Sequence, residues 1–241
     1  MLGLPDGITT SLFDLDGVLT KTAEVHAHAW KETFDRFLDQ RGEKPFDLSR
    51  DYDEYVDGKP RLDGVHSFLQ SRDIDIPMGS PSDPPEDETV HALGTRKNNL
   101  VLDLIQDQGV EPYAGSVTFV ERARDQGLRR AVVSSSTNCR EVLVAASIEQ
   151  LFEVRIDGTV AERDGLAGKP APDTFLAGAR AFDAEPAEAA VFEDAQAGVQ
   201  AGRAGDFGWV VGVDRTGQAE ALRQRGADVV VEDLAELLER R

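Results

Sequence analysis

The clearest pattern in the chain is a switch of hydrophobic period. From residue 113 onward, short apolar runs of strand type recur as LRRAVVSSS, FEVRI, AAVFEDA, FGWVVGV and ADVVVED. Between them NCREVLVAAS, DTFLAGARAF, AGVQAGRAG, QAEALRQRG and LAELLERR space their apolar residues as helices do. This alternation predicts a parallel sheet with helices on both faces, and the apolar run over residues 8–15 belongs to the same sheet. Residues 22–108 read differently, as helices alone. One starts near Thr22, carries Val25, Ala29, Phe34, Phe37 and Leu38 on one face and stops before Gly42. A second follows a Gly-Lys-Pro-Arg turn and uses Val65, Phe68 and Leu69, which puts Lys59 and Arg61 in the loop before it. A third covers VHALGTRKNNLVLDLIQDQG, and GSPSDPPEDE before it reads as an exposed loop. The expected fold class is therefore α/β, a Rossmann-like parallel sheet core with an inserted all-helical domain. Residues 1–20 and 110–241 form the discontinuous core, and residues 21–109 form the insertion.

Composition narrows the partners. The 241 residues are 40% hydrophobic, enough for two modest cores, and carry a formal charge of -19 with only four histidines. Such a field repels nucleic acid and anionic membranes, so a phosphate-bearing ligand has to be drawn by a local basic cluster. There are six lysines, at positions 21, 31, 44, 59, 97 and 169, and each one inside a motif is correspondingly informative. A lone Cys139, an N-terminal segment with no basic or long apolar stretch, and the lack of a run able to span a bilayer together predict a cytoplasmic protein.

The candidate chemistry starts at SLFDLDGVLT, residues 11–20, where an apolar strand leads into Asp14 and Asp16 and turns at Gly17. On a strand, carboxylates one residue apart face the same side, and their repulsion calls for a divalent cation or a shared proton. An ordinary acidic Asp-Gly turn is the other reading of this stretch. Further polar residues are expected at the same end of the sheet. AVVSSSTN supplies Ser134, Ser136 and Asn138 at a helix start suited either to capping or to an anion, AGKPAPD supplies Lys169, and AAVFEDAQAG supplies Glu193 and Asp194. Two carboxylates, a hydroxyl, a lysine and a second acidic pair describe an oxygen-rich site for a hard cation beside an anion cradle. Magnesium suits such donors, zinc does not, and phosphoryl transfer is the chemistry implied. Thr22, His26 and Trp30 recur at four-residue spacing on the first helix of the insertion, a stripe that also suits plain helix packing.

In order, FDLDGVLT, the Ser134 strand end, GKPAPD and FEDAQAG resemble the four motifs of the haloacid dehalogenase superfamily of phosphotransferases. The insert directly after the first motif resembles that superfamily's helical cap. TAEVHAHAWK, Gly-Lys-Pro-Arg, RKN, SSSTN, GKPAPD and EDAQAG are similar to its β-phosphoglucomutase subfamily. The resemblance implies an Asp14 nucleophile that becomes an aspartyl phosphate and an Asp16 general acid and base. It implies magnesium held by Asp14, the Asp16 carbonyl, Glu193 and Asp194, with Ser134 and Lys169 on the transferring phosphoryl oxygens. In the cap it implies that His26 holds Asp16 until closure and that Arg61 grips the non-transferring phosphate. Lys97, Ser136 and Asn138 line the sugar pocket, and Thr22 and Trp30 shape the junction. The ligands so implied are a small sugar phosphate and a sugar bisphosphate, bound by a monomer with no nucleic-acid or membrane partner. The activity implied is isomerisation of β-glucose 1-phosphate to glucose 6-phosphate, with a sugar-phosphate phosphatase as the alternative and a non-catalytic sugar-phosphate binder as a remote one. Asp57 and Thr137 stand where the subfamily more often has basic residues, and GSPSDPPEDE looks like an addition.

Overall fold

A computed structural model describes residues 2–239 of the chain. The polypeptide divides into two compact units, one built from the segments up to Lys21 and from Val110 onward, the other from Thr22–Gly109.

The first unit is built on a six-stranded sheet. Its strands are β1 (Thr10–Phe13), β2 (Arg129–Val133), β3 (Val154–Ile156), β4 (Ala189–Glu193), β5 (Trp209–Val213) and β6 (Val229–Val231). All neighbours pair in parallel, in the order β3-β2-β1-β4-β5-β6. Leu12, Ala131, Val133 and Val191 belong to one apolar layer with Phe175 and Val199. Phe13 and Phe192 stack at 4.5 Å and meet Phe119 at 6.2 and 5.2 Å. Adjacent residues of one strand thus both find apolar partners, which is why β1 and β4 lack the alternation of a half-exposed strand. The order reverses between β1 and β4, so the crevice at their C-terminal ends is where a ligand is expected in an open parallel sheet.

Two helices of this unit, Ala114–Asp125 and Gly158–Asp164, were not among the helices expected from periodicity. The first buries a face that includes Ser116 and Ala123, which blurs its apolar stripe, and the second buries only Gly158 over seven residues. The remaining helices of the unit are Cys139–Ala145, Asp173–Arg180, Gln196–Ala204, Ala219–Arg225 and Ala235–Glu239.

The second unit is helical, with α1 (Thr22–Asp39), α2 (Arg61–Ser71), α3 (Val90–Gln108) and a π-helical turn at Tyr52–Val56. Phe34 centres its core, 5.1 Å from Trp30, 5.3 Å from Phe46 and 4.2 Å from Phe68. The loop expected at residues 79–88 is present, and arginines tie it down. Arg41 pairs with Glu88 at 2.6 Å, and Arg96 donates twice to the Pro85 carbonyl. Arg61 departs from expectation. It is the first residue of α2 rather than part of the preceding loop, because Pro60 sits at the N-cap position and the helix begins directly after it.

Candidate active site

The site of the first unit is assembled at the ends of β1, β2 and β4 and from the segment between the helices Gly158–Asp164 and Asp173–Arg180. β1 ends at Phe13, so Asp14 and Asp16 lie beyond the strand rather than on it, a correction to the expectation of two carboxylates along one strand face. The Asp14 amide still donates to the Phe192 carbonyl at 2.9 Å, which holds the residue to β4. Asp16 instead pairs with Thr20 in a tight turn, closed by the Gly17 amide on the Thr20 carbonyl at 2.8 Å. Gly17 has φ of +81°, and a Cβ there would lie 1.7 Å from an Asp194 carboxylate oxygen. Only glycine fits, on backbone and on steric grounds alike.

Lys169 is the hub of the site. Its ammonium is buried and donates to Asp14 Oδ1 at 2.5 Å, Glu193 Oε1 at 2.5 Å and the Val133 carbonyl at 3.1 Å. Those three bonds use all of its protons. Glu193 is completely buried, accepts a further bond from the Ala195 amide, and leaves no room for a side chain at Gly198. Asp194 completes a trio. Asp14, Glu193 and Asp194 each offer an oxygen within 4.8 Å of the others, and all three are buried.

The charges explain what this trio is suited to. Burial raises the Asp14 carboxyl to about 6, with Lys169 opposing the rise and Asp16 adding to it. Burial raises Glu193 to about 7, again against Lys169. Burial also works against the charge on Lys169, but Asp14 and Glu193 outweigh it and shift its pKa upward. One ammonium cannot balance this many carboxylates. A divalent cation held by Asp14, Glu193 and Asp194 would supply the missing positive charge, and the all-carboxylate donor set fits magnesium rather than zinc.

Ser134, directly after β2, is buried, and its hydroxyl accepts from the Ser136 amide at 3.1 Å. The Ser136 hydroxyl accepts from the Asn138 amide at 3.1 Å, so both serines shape the turn into the helix at Cys139–Ala145. Gly158 backs this turn, since a Cβ there would meet the Ser135 carbonyl at 2.9 Å.

A second cluster lies within the helical unit. His26 Nδ1 and Lys97 Nζ are 2.8 Å apart, and Lys97 sits 4.9 Å from the centre of the Trp30 ring. An ammonium only donates, so Nδ1 accepts and the imidazole proton is on Nε2. Burial, then Lys97 and Arg61, hold His26 well below the usual histidine range, which keeps it neutral. Thr22 is buried one helical turn before His26. Arg61 Nη1 donates to the side-chain Oδ1 of Asn98, a partner not singled out from the sequence although it is the last residue of RKN.

Residues 8–206 match the family described as haloacid dehalogenase-like hydrolase. The chain belongs to this family. Over 99% of its length it is 52% identical to a β-phosphoglucomutase of Mycobacterium tuberculosis, of which it covers 94%. It is 28% identical over 199 residues to a fructose-1-phosphate phosphatase of Escherichia coli, covering 80% of this chain and 90% of that one. Among solved structures, a β-phosphoglucomutase of Clostridium difficile superposes with a TM-score of 0.75 at 25% identity, covering 95% of this chain and 93% of that one. Membership in the family makes the protein an enzyme of haloacid dehalogenase type, built as the sequence predicts on a parallel sheet. No helix among the described residues is long and apolar enough to cross a membrane.

The raised carboxyl pKa values set an expected pH response. A carboxyl whose pKa rises on folding stabilises the fold below its unfolded pKa and loses that contribution as pH climbs through the folded value. For Asp14 and Glu193 the loss falls between about pH 4 and about pH 7. Metal binding requires the ionised forms and counteracts the same loss. Millimolar magnesium is therefore expected to raise the melting temperature by several degrees at pH 7 and by much less at pH 5. Equal shifts at both pH values, in thermal melts of metal-stripped protein, would contradict this charge balance.

Proposed function

We propose that the protein is a magnesium-dependent phosphosugar mutase that interconverts β-glucose 1-phosphate and glucose 6-phosphate through glucose 1,6-bisphosphate. The observation that carries the reading is the buried Lys169 ammonium held between Asp14 and Glu193 beside Asp194. Lys169 favours the anionic form of Asp14, the form needed for attack on phosphorus, and orients the carboxylate through Oδ1. Asp14, the Asp16 carbonyl, Glu193 and Asp194 would hold the cation. When bound, magnesium neutralises charge on the carboxylate and phosphoryl oxygens.

In this reading a carboxylate oxygen of Asp14 forms a bond to phosphorus as the bond from phosphorus to the sugar oxygen breaks. Asp16 gives that oxygen its proton. In the other half-reaction Asp16 takes the proton from the 6-hydroxyl of an incoming β-glucose 1-phosphate, whose oxygen attacks the aspartyl phosphate, so that glucose 1,6-bisphosphate forms and Asp14 departs as a carboxylate. Ser134 and Lys169 steady the phosphoryl oxygens, and Ser136 and Asn138 contact the sugar. In the helical unit Arg61 grips the phosphate that is not transferred and Lys97 contacts the sugar. His26, neutral with its proton on Nε2, has the donor that would hold the Asp16 carboxylate. Thr22 and Trp30 shape the base of that cluster. A mutase must also keep water from the aspartyl phosphate, which a phosphatase has no need to do.

The helical unit's cation cluster supports the mutase over the phosphatase, because a bisphosphate needs a second phosphate-binding group. So does the name of the 52% identical relative. Hydrolysis of a sugar phosphate is the second reading, favoured by the phosphatase among the relatives.

The test is turnover of β-glucose 1-phosphate with magnesium and a trace of glucose 1,6-bisphosphate, following glucose 6-phosphate and free phosphate together. Glucose 6-phosphate as the main product is expected, and free phosphate as the main product moves the assignment to phosphatase. Arg61→Ala is expected to raise KM for the sugar phosphate at least about tenfold, since it deletes a charged phosphate contact. An unchanged KM would remove Arg61 from phosphate binding.

A further inference from the structure

Arg215 lies two residues past the end of β5, at the same end of the sheet as Asp14 and Asp194, and it touches three separated segments of the first unit. Its Nε donates to the Gly17 carbonyl at 3.0 Å. Its Nη1 donates to the Glu232 carbonyl at 2.5 Å and to Asp233 Oδ2 at 3.3 Å. The face of its guanidinium lies 3.6 Å from the centre of the Tyr113 ring. An exposed arginine gains little from such contacts, but this one is largely covered, with 16% of its side chain accessible.

The segments it joins are informative. Gly17 closes the turn that carries Asp16, with the Asp194 carboxylate already packed against its Cα. Tyr113 belongs to the segment that returns the chain from the helical unit, and its amide donates to the Leu19 carbonyl at 2.9 Å. Thr20 also bridges Pro112. Asp233 in turn packs so closely on Gly115 that a Cβ there would lie 1.6 Å from its carboxylate. The turn of Asp16–Thr20 is thus braced by Arg215, whereas Asp14 is held separately, by Lys169 and by β4.

We propose that Arg215 is a positioning residue for proton transfer, holding the Asp16–Thr20 turn so that the Asp16 carboxyl meets the sugar oxygen, while the attack by Asp14 does not depend on it. This rests on the reading of Asp16 as acid and base. The two half-functions separate by leaving group. Departure of a sugar alkoxide needs a proton, whereas acetate leaves acetyl phosphate without one.

The experiment compares wild type, Arg215→Ala, Arg215→Lys and Asp16→Asn as full chains with magnesium. It measures kcat and KM on β-glucose 1-phosphate and single-turnover labelling of the protein by radiolabelled acetyl phosphate. The value of kcat is taken from whichever product wild type forms, so the mutase reading can fail without deciding the role of Arg215. Misplacement of an acid by about 1 Å can cost about 100-fold. Arg215→Ala is expected to lower kcat about 10- to 100-fold with KM within about threefold, and to leave the labelling rate within about threefold. Arg215→Lys, which keeps a donor for Gly17 but loses the planar stack on Tyr113, is expected to recover part of the loss. Asp16→Asn is expected to show the same split in stronger form. A parallel fall of labelling and kcat in Arg215→Ala would make Arg215 a general brace and overturn the proposal, as would an unchanged kcat. Wild-type turnover by Asp16→Asn would overturn the acid–base reading itself and the proposal with it.

Discussion

A single buried ammonium organises the catalytic end of this protein. Lys169 spends its three protons on Asp14, Glu193 and the Val133 carbonyl, and so links the segment that follows β1 to the ends of β4 and β2. Burying three carboxylates at the end of a sheet is costly unless cations are brought to them. The lysine covers part of that cost and leaves a remainder, visible in the raised Asp14 and Glu193 pKa values, that a divalent cation is suited to cover. The same arrangement fixes the orientation of the Asp14 carboxylate, the group proposed as nucleophile. Substitution of Lys169 therefore strikes folding of the strand ends and chemistry together, because the groups it pairs are too deeply buried to be rehydrated.

The sheet explains why these groups meet. Parallel strands direct their C-terminal ends to one edge, and the reversal of order between β1 and β4 opens the crevice there. Glycines allow the close packing. At Gly17 the Asp194 carboxylate occupies the volume of a side chain, and at Gly198 the Glu193 carboxylate does. The acidic groups are thus fitted against bare backbone of the loops and helix starts around them. In the helical unit a different chemistry is concentrated, with Lys97, Arg61 and a neutral His26 gathered beside Trp30 in a chain of strongly negative net charge.

Much of this was legible in the sequence because the relevant signals are local. Uninterrupted apolar runs such as AAVFE can only be satisfied by burial on both faces, and they come alternately with helical repeats, which together specify a parallel sheet. The helical insertion was legible from Phe34, Phe37 and Phe68 at helical spacing. Motif residues placed after apolar runs were expected at one sheet end, where Asp14, Ser134, Glu193 and Asp194 lie, and Lys169, expected in a loop just before a helix, reaches Asp14 and Glu193 from there. Less legible was anything set by tertiary contact. The helix at Ala114–Asp125 buries small residues and has a weak stripe, Asp14 and Asp16 fall past the strand rather than along it, and Arg61 starts a helix instead of lying in a loop. Arg215 and Asn98 carry no periodic signature. Only the contact with Gly17 in one case and with Arg61 in the other identifies them.

The central claim is that Asp14 accepts the phosphoryl group. Acyl phosphates are reduced by borohydride to the alcohol, so an aspartyl phosphate trapped in this way becomes homoserine. The most direct measurement is borohydride treatment of the magnesium-loaded enzyme during turnover of a sugar bisphosphate, followed by peptide mass spectrometry. Homoserine at position 14, with Asp16 unchanged, is the result predicted. Homoserine at another aspartate, or none from an enzyme that is turning over, would contradict it.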